Sequence, residues 1–510
     1  MFSQLISRTI PLQLACVLLT AGCAVRAAEP ADDAAALLRE GKTQEAVALL
    51  QKTLAADPKS VRVAFLLGET LLDQQRVDES AEVIHKALAL APNAPDLLQA
   101  QGDIEFRQGQ IGAAEMSYKK ALRQNADHVQ ALFGLGRVFH AASFNKTAAA
   151  LFRKAHELDP GDAAIVGSFA RFAATDAERQ AALEKYLSAT RGEDRRRAQW
   201  MIARVALAKF LNGRKTDVLV SPYASTSIHL QTLLNGKHVH GVSLAVAVND
   251  ARSATLELDT GASGLTITRR VAERAGVQRI ADMDLSGLGD DRDPTGYVGF
   301  AEKVRVGDVE FQNCVVHVSD KAFSADSDGL IGTDLFDRFL ITLDFRKHQV
   351  RLDPLPGPAW DGVAPVDRYS GPELKGFSQV FRFGHDLLTQ TSIGDAQPGF
   401  FLLDTGSNEN LISASAAREV TKVRNEDRFQ VKGVSGKVNN VKMANEVTAV
   451  FAGYRQVLRE AIALDLSGLS KDAGTEITGI LGLPTLILFN LTIDYRDGAV
   501  KFVYDPPPGL

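Results

Sequence analysis

The sequence predicts a multidomain α + β protein in which an N-terminal α-helical solenoid precedes an all-β domain of two lobes. The first observation behind this prediction is a 34-residue repeat within an alanine-rich stretch of helical periodicity. The second is a switch, near residue 225, to short alternating or apolar runs separated by turn signals. The third is a block of the C-terminal half that occurs twice. A length of 510 residues leaves room for about three domains.

Residues 1–27 are expected to be a signal peptide. Arg8 supplies a positive charge, and the apolar run 10–19 is too short to span a bilayer. Residues 25–27 fit cleavage at small residues, whereas residues 19–23 resemble a lipobox that would leave Cys23 lipidated. We therefore expect export, to the periplasm or the outer membrane, and both a soluble form and a form anchored to the membrane through Cys23 stay open.

Charge and cysteine content exclude several function classes. The net charge is −5 and no domain is basic, so the sequence lacks the positive surface that a nucleic-acid-binding protein needs. Once the leader is removed or lipidated, Cys314 remains as a single thiol in an apolar run, so we expect it to be buried and to form no internal disulfide. The pair His238 and His240 has no third ligand nearby in sequence, so no metal and no cofactor is expected.

Residues 29–211 carry the repeat. Three sets of small or helix-ending residues keep a 34-residue period: Pro58, Pro92 and Pro160, with Ala126 at the intervening position; Gly68, Gly102 and Gly136; Ala87, Ala121 and Ala155. This pattern resembles tetratricopeptide repeats, with about four repeats followed by capping helices. Glycine and alanine let paired helices approach closely, and proline ends the second helix. The resemblance implies that the repeats bind a protein partner or substrate; a purely buttressing role stays open.

The duplicated block contains Asp259-Thr260-Gly261 and, 145 residues later, Asp404-Thr405-Gly406. Each tripeptide follows an apolar run and leads to a Gly-apolar-apolar-Gly element, residues 329–332 and 479–482, which are 150 residues apart. A strand-like segment follows each element at the same offset, residues 339–346 and 489–496. A fold with internal two-fold symmetry would bring Asp259 and Asp404 face to face.

Two facing carboxyls can activate water and protonate a leaving amine if they share one proton. In that role, Gly261 and Gly406 would permit the tight turns, and Thr260 and Thr405 would tie the two turns together. The following residue differs between the copies, since Ser407 has a hydroxyl and Ala262 has none. We expect the Ser407 hydroxyl to bond the adjacent carboxylate and make Asp404 the more readily ionised partner.

These motifs resemble the pepsin and retroviral-protease superfamily. Asp-Thr-Gly-Ala resembles the retroviral form and Asp-Thr-Gly-Ser the pepsin form, and the elements that end at Gly332 and Gly482 match the family's support for the catalytic loop. The resemblance covers lobe 1 at 225–355, a Pro/Gly-rich linker at 356–376 and lobe 2 at 377–505. It implies a bacterial exported protein that joins repeats to a tandem, retropepsin-like aspartic endopeptidase with Asp259 and Asp404 as catalytic residues.

The same family covers its cleft with a β-hairpin flap. Gly287 and Gly289 in the first lobe, or Gly433 and Gly436 in the second, could open such a hairpin, with Tyr297 as a substrate-facing aromatic. Residues 290–293 are unusually charged for a flap, which is where the match is poorest.

Two other functions stay open on the sequence. The cleft could bind peptides without hydrolysing them, as part of a scaffold of the cell envelope. Alternatively, the repeats could do the main work in assembly. Asp344 and Asp494, which also match between the lobes, are expected to be structural, ion-paired aspartates at strand ends.

Overall fold

The computed structural model describes residues 30–173, 175–189, 195–235, 238–285, 295–321, 326–358, 367–425, 431–433, 436–438, 440–459 and 461–508. The N-terminal half is helical and contains α1 (Pro30–Arg39), α2 (Thr43–Ala56), α3 (Val61–Asp73), α4 (Val77–Leu90), α5 (Pro95–Arg107), α6 (Ile111–Gln124), α7 (Val129–Ala141), α8 (Asn145–Leu158), α9 (Ala163–Arg171), α10 (Asp176–Ala189) and α11 (Arg195–Leu211).

The C-terminal half is built mainly of strands. The first lobe contains β1 (Val218–Leu219), β2 (Thr226–His229), β3 (Gln231–Asn235), β4 (His238–Val248), β5 (Ala254–Asp259), β6 (Leu265–Thr268), α12 (Arg269–Arg274), β7 (Gln278–Asp284), β8 (Thr295–Val306), β9 (Val309–Ser319), β10 (Gly329–Gly332), β11 (Phe339–Asp344) and β12 (Gln349–Pro354). Two short 3-10 helices span Thr333–Phe336 and Pro372–Leu374.

The second lobe follows the same plan. It contains β13 (Ser378–Gln379), β14 (Phe381–Phe383), β15 (Asp386–Ile393), β16 (Gly399–Asp404), β17 (Leu411–Ser413), α13 (Ala414–Val420), β18 (Val423–Asn425), β19 (Lys432–Gly433), β20 (Gly436–Lys437), β21 (Lys442–Ala444), β22 (Val447–Phe451), β23 (Tyr454–Leu458), β24 (Ile462–Leu464), α14 (Ser467–Ala473), β25 (Ile477–Gly482), α15 (Leu483–Leu486), β26 (Phe489–Asp494) and β27 (Ala499–Tyr504).

The 34-residue period of the sequence is the period of the helix pairs. Helices α3, α5, α7 and α9 begin at Val61, Pro95, Val129 and Ala163, each 34 residues after the last. The first pair, α1 and α2, precedes them, and α9 to α11 continue the stack to Leu211. The predicted solenoid of tandem helix pairs is confirmed.

The recurring glycines allow the two helices of each pair to touch. A Cβ atom at Gly68 would lie 2.5 Å from Ile84 Cδ1, and one at Gly102 would lie 2.7 Å from the Tyr118 ring. Gly136 stands in the same relation to Phe152, at 2.7 Å. Interiors this dense have no room for another carbon, so the helices would have to separate.

Each lobe is organised around one sheet. The sheet of lobe 1 has the order β1-β9-β6-β10-β5-β4-β8-β7, with β3 paired to β4. The sheet of lobe 2 has the order β18-β21-β24-β17-β25-β16-β15-β22-β23, with β14 paired to β15. In both sheets, the strand that ends in the aspartate of the Asp-Thr-Gly tripeptide pairs in parallel with the strand of the glycine element, β5 with β10 and β16 with β25.

A third sheet joins the lobes and contains the pseudo-two-fold axis. Its order is β13-β27-β26-β11-β12-β2, and β11 pairs antiparallel with β26. Thr342 stands opposite Thr492, which is its own counterpart 150 residues later, and their hydroxyl oxygens are 3.1 Å apart. A residue that pairs with its own repeat lies on the symmetry axis, so the two lobes close on each other within one chain.

The solenoid shares a hydrophobic core with lobe 2. Phe106 of α5 and Phe400 of β16 are both buried in one cluster, and the Phe106 ring lies 5.7 Å from that of Phe383. Polar contacts follow the same boundary, because Arg107 Nη1 donates to the Ser470 carbonyl at 2.8 Å and Thr475 Oγ1 donates to the Phe106 carbonyl at 2.9 Å. The repeats therefore buttress lobe 2, which is the role that the sequence left open.

The solenoid also touches lobe 1 and the segment between the lobes. Ala203 of α11 is buried with Met283 and Val298 of lobe 1. The Asp367 carboxylate caps the start of α8, where the Lys146 backbone N–H donates to Oδ1 at 2.7 Å. The solenoid is thus attached to the C-terminal domain at three places along its length.

Three further sequence expectations concern single residues. Cys314 is a buried free thiol, as predicted. Asp344 is structural, because it accepts the Lys347 backbone N–H at 2.9 Å and pairs with the Lys347 ammonium at 3.1 Å. Asp494 accepts the Asp497 backbone N–H at 3.0 Å.

The predicted leader, with Cys23, lies outside the described residues. Within the described ranges, no helix has both the length and the apolar character needed to cross a membrane.

The shared core predicts a large stability effect at Phe400. Phe400→Ala leaves a cavity between the solenoid and lobe 2, since this ring is 1% exposed, and we expect it to lower the free energy of unfolding by about 3–5 kcal/mol. Val503→Ala, on a side chain that is 44% exposed, is the control and should change it by less than about 0.5 kcal/mol. Urea unfolding of both variants measures the difference; equal midpoints would contradict a shared core.

Candidate active site

The two aspartates occupy equivalent places at the ends of central strands. Asp259 is the last residue of β5 and stands opposite Gly332, and Asp404 is the last residue of β16 and stands opposite Gly482. The strands end there because the next residues enter the tight turns that the sequence predicts at Gly261 and Gly406.

Thr260 and Thr405 bind the two turns to each other reciprocally. The Thr260 hydroxyl donates to the Leu403 carbonyl at 2.7 Å and accepts the Thr405 backbone N–H at 3.0 Å. The Thr405 hydroxyl donates to the Leu258 carbonyl at 2.7 Å and accepts the Thr260 backbone N–H at 3.0 Å. Both threonines are completely buried, and all four bonds cross the pseudo-two-fold axis.

This arrangement holds each carboxyl against the opposite turn. A Cβ at Gly406 would lie 2.5 Å from Asp259 Cγ, and one at Gly261 would lie 3.0 Å from Asp404 Cγ. Each carboxyl also accepts a backbone N–H of its own turn, from Gly261 to Asp259 Oδ1 at 2.7 Å and from Gly406 to Asp404 Oδ1 at 2.9 Å. Only glycine fits at these two positions.

The two carboxyls titrate as a pair. Burial, followed by the negative charge of Asp259, raises the pKa of Asp404 well above its ordinary value. Burial also raises the pKa of Asp259, while the hydrogen bond with Asp404 and the Gly261 N–H oppose that rise. Two like charges in contact cannot both form at low cost, so the pair holds one proton, and these environments favour its location on Asp404.

The expectation that Ser407 makes Asp404 the more readily ionised partner is wrong. The Ser407 hydroxyl donates to the Glu409 carbonyl at 2.8 Å, and only its backbone N–H reaches Asp404 Oδ1, at 3.1 Å. The side chain therefore stabilises its own loop and adds no hydroxyl bond to the carboxylate.

The glycine elements press on the catalytic loops from behind, as the family resemblance implies. A Cβ at Gly332 would overlap the Ala262 carbonyl oxygen, and one at Gly482 would overlap the Glu409 carbonyl oxygen. The polar supports of the two loops differ, and the sequence analysis missed both. In lobe 1, Asp334 accepts the Gly264 N–H at 2.7 Å, whereas in lobe 2, Asn410 accepts the Gly482 N–H at 3.0 Å.

Two more polar residues near Asp259 were also missed. His385, in the turn between β14 and β15, donates from Nε2 to the Gly261 carbonyl at 3.0 Å, and its positive charge would lower the pKa of Asp259. Glu257 lies two residues before Asp259 on β5, and burial together with the charge of Asp259 raises its pKa to about 7. His385 lies outside the duplicated motifs, and Glu257 stands in the apolar run before Asp259 where the second copy has Leu402, so the repeat comparison gives no signal for either residue.

A cavity of about 1160 Å³ contains both aspartates. One side is formed by the catalytic loops and the β14–β15 turn. The solenoid contributes to the lining of the same cavity, with His140 of α7, Arg171 of α9 and Arg204 of α11 among its residues. The helical repeats and the two aspartates thus border one cavity.

The proposed flap residues have different outcomes. Gly287 and Gly289 lie outside the described residues. Tyr297 does not face the cavity, because it is 5% exposed within the long strand β8, where Arg279 covers its ring at 4.6 Å. Gly433 and Gly436 do belong to a hairpin, since β19 pairs with β20 through these two residues.

No group of three or more His, Cys, Asp or Glu side chains in the described ranges is arranged to hold a metal ion. The side chain of His238 lies outside those that are described.

Comparison with known proteins assigns two regions. Residues 37–104 and 100–163 each match a family model of the tetratricopeptide repeat. Residues 244–335 match a family model described as aspartyl protease, and this range includes Asp259-Thr260-Gly261 and Gly332.

Curated relatives match over the repeats. A TPR repeat-containing protein of Pseudomonas aeruginosa is 36% identical over 80 residues, which is 16% of this chain and 14% of that protein. Anaphase-promoting complex subunit 3 of Schizosaccharomyces pombe is 25% identical over 118 residues, which is 23% of this chain and 18% of that protein. The chain therefore spans less than a fifth of either relative.

Two similar solved structures are those of MamA and YrrB. The structure of MamA is 21% identical, with a TM-score of 0.24, and the match covers 32% of this chain and 92% of that one. The structure of YrrB, a TPR protein with an unusual peptide-binding site, is 21% identical with a TM-score of 0.23, and the match covers 32% and 84% of the two chains. TM-scores this low carry no information about function. The family models and the fold together show that this chain joins N-terminal tetratricopeptide repeats to an aspartyl protease-like domain.

Proposed function

We propose that this protein is an aspartic endopeptidase that hydrolyses peptide bonds with the pair Asp259 and Asp404. The observation that carries the proposal is the contact between the two carboxyls, held across the symmetry axis by the bonds of Thr260 and Thr405. Such a contact is costly unless one proton is shared, and a pair with one proton contains a base and an acid side by side.

The chemistry follows from that proton. The ionised carboxyl, which we assign to Asp259, accepts a proton from a water molecule while the oxygen of that water attacks the peptide carbonyl carbon. The neutral carboxyl of Asp404 donates a hydrogen bond to the carbonyl oxygen and stabilises the developing charge. Asp259 then passes the proton that it took from the water to the amide nitrogen, and the C–N bond breaks to release an amine and a carboxylic acid, which leaves the dyad with its one shared proton. No covalent intermediate with the protein is formed.

The solenoid supports a protein or peptide as the substrate. Helical repeats commonly bind extended peptide segments on their concave face, and here residues of α7, α9 and α11 line the cavity that contains the dyad. We infer that the substrate chain lies between the repeats and the two catalytic loops.

We also propose that the protein is exported, on the evidence of the leader-like residues 1–27. The lipoprotein form makes a specific prediction. Cys23→Ser should release the protein from membranes into the periplasmic fraction, because it removes the thiol that would carry the lipid. Cys314→Ser is the matched control and should leave fractionation unchanged. Equal membrane association of wild type and Cys23→Ser would exclude the lipid anchor, and recovery of the full-length chain in the cytosol would exclude export.

The hydrolytic function predicts equal loss of activity in two single variants. Asp259→Asn and Asp404→Asn should each reduce the cleavage of denatured casein by at least about 10²–10⁴-fold, because an asparagine cannot accept or share the proton. The fold should persist, since each change removes one of two repelling charges. Asp308→Asn, on an exposed turn, is the control.

A mixture of Asp259→Asn and Asp404→Asn should stay inactive, since one chain supplies both halves of the site. Recovery of activity on mixing would indicate a site formed between chains. Full activity in either single variant would overturn the proposal in favour of a cleft that binds peptides by other means.

The raised pKa values predict the pH dependence. A plot of kcat/KM against pH should be bell-shaped, with the alkaline limb well above the ordinary aspartate pKa of about 3.9, because the shared proton is held more tightly than on a free carboxyl.

The shared proton should also make the stability of the fold depend on pH, in a direction that can be worked out. A carboxyl whose pKa is raised on folding stabilises the fold below its unfolded pKa, and this stabilisation is lost as the pH rises through the folded pKa. Asp404→Asn should therefore raise the Tm of the protein more at pH 8 than at pH 4. An increase that is the same at both values would contradict the assignment of a raised pKa to the pair.

A further inference from the structure

Three arginines meet where the solenoid faces the catalytic cavity. Arg171 ends α9, Arg204 lies in α11, and Arg382 lies in β14 of lobe 2, and all three line the cavity that contains Asp259 and Asp404. We refer to Arg171, Arg204 and Arg382 as the arginine cluster. Because two members come from the repeats and one from lobe 2, the cluster exists only when the two parts are assembled.

The charges of the cluster oppose one another. Burial, followed by the charge of Arg382, lowers the pKa of Arg171. Burial, followed by the charges of Arg171 and Arg179, lowers the pKa of Arg204 to about 10. Arg171 and Arg204 stay protonated at neutral pH, so the repulsion within the cluster persists unless an anion enters the cavity.

No carboxylate forms an ion pair with the cluster in the part of the chain that the structure describes. Arg171 Nη1 donates to His140 Nε2 at 3.3 Å, and the Arg204 guanidinium lies 4.5 Å above the Trp200 ring. Arg382 Nη1 donates to the Tyr495 carbonyl at 2.7 Å, while its buried Nε has no partner.

Neighbouring arginines of the same solenoid are paired. Arg153 in α8 forms an ion pair with Glu178 at 2.6 Å, and Arg137 in α7 reaches Asp103 at 3.5 Å. The solenoid therefore offers carboxylates to arginines outside the cluster and leaves the cluster itself without one.

His140 orients Arg171 through a hydrogen bond and does not compete with Arg171 for an anionic ligand. Burial and the charge of Arg171 lower the pKa of His140 to about 4, so this imidazole is neutral. Its Nδ1 donates to Asn145 Oδ1 at 2.9 Å, which leaves Nε2 as the acceptor for Arg171. A guanidinium fixed by one neutral acceptor keeps its other N–H groups for a ligand.

The acidic groups of the cavity lie on the protease side. Asp284, Asp386 and Glu409 line it together with the dyad, whereas the wall formed by α9 and α11 contributes arginines. A peptide in the cavity with its scissile bond at the dyad could place a flanking group near the cluster.

We propose that the arginine cluster is a subsite that binds a carboxylate group of the peptide substrate. Planar guanidinium groups bind carboxylates through paired, charge-assisted hydrogen bonds, which are stronger than bonds between neutral groups. The carboxylate could be an acidic side chain or the C-terminus of the peptide, and both present the same chemistry. This subsite rests on the proposed function, because it assigns specificity to a cavity whose hydrolytic activity is itself proposed.

The test compares four octapeptides of the same alanine- and leucine-rich sequence with the full-length protein. They combine a central glutamate or glutamine with a free or an amidated C-terminus. We expect wild type to cleave the peptides that carry the recognised carboxylate about tenfold to hundredfold faster in kcat/KM than the neutral peptide. A preference that follows glutamate identifies the side chain, and a preference that follows the free terminus identifies the C-terminal carboxylate.

Variants of the cluster then separate recognition from chemistry. Arg171→Gln combined with Arg204→Gln should abolish the preference, so that kcat/KM for the carboxylate-bearing peptides falls to within about twofold of that for the doubly neutral peptide. Arg171→Lys should retain part of the preference, because it keeps the charge and loses the paired geometry. Arg123→Gln, an exposed site on α6 outside the cavity, is the matched control and should behave as wild type.

A binding experiment keeps the subsite and the hydrolytic function separate. Fluorescein-labelled forms of the four peptides are titrated into Asp259→Asn, alone and with the two cluster substitutions, and anisotropy is measured at low and high salt. We expect carboxylate-bearing peptides to bind more tightly to Asp259→Asn alone, with a difference that salt reduces.

Binding without hydrolysis by wild type would support the subsite and overturn the endopeptidase proposal. Cleavage of all four peptides at equal rates, with no effect of the cluster substitutions, would overturn the subsite and leave the endopeptidase proposal intact. If the double substitution lowers the Tm, the single variants Arg171→Lys and Arg171→Gln are compared with wild type instead. If both single variants keep the full preference for carboxylate-bearing peptides, the subsite is contradicted.

Discussion

The reciprocal hydrogen bonds between Thr260 and Thr405 determine how close the two lobes come at their centre. Since each hydroxyl donates across the axis and accepts from across it, neither turn can move without leaving a buried polar group unpaired. The turns carry Asp259 and Asp404 into contact, and burial then leaves the pair with one proton. The glycines after the threonines are a consequence, because the opposite carboxyl occupies the space of their missing Cβ atoms.

The two lobes are related by pseudo-two-fold symmetry in their backbones, but the side chains around the two aspartates differ. The pairing of Thr342 with Thr492 places the axis within the sheet that joins the lobes, and both catalytic strands use the same parallel partner. Yet lobe 1 supports its loop with Asp334 and lobe 2 with Asn410, and His385 donates a hydrogen bond to the Gly261 turn of lobe 1. A symmetric pair of carboxyls thus lies in an asymmetric environment, and in the proposed reaction this difference lets one carboxyl act as the base and the other as the acid.

The features that could be predicted from the sequence are those that recur along it. Repeats at 34 and 150 residues predicted the helix pairs and the duplicated strands, because each copy of a repeat packs in the same way. The fate of the Ser407 hydroxyl depends on a choice of acceptor, Glu409 or Asp404, that composition does not determine. Tyr297 is buried through the register of β8 against β7 and β9, which only the assembled sheet defines. Docking of the solenoid rests on Phe106 and Phe400, which belong to unrelated repeats.

The docking of the solenoid ties stability to recognition. Phe106 and Phe400 seal the boundary between the repeats and lobe 2, and the same boundary brings Arg171 and Arg204 towards Arg382. Bringing these cations together costs free energy, which the apolar contacts at the boundary can offset. A wall made of packed helices also presents its side chains with little loss of conformational entropy on binding. In the proposed reaction, an anionic group of the substrate would relieve the repulsion between these arginines. Part of the free energy of substrate binding therefore comes from repulsion that is already present in the folded protein.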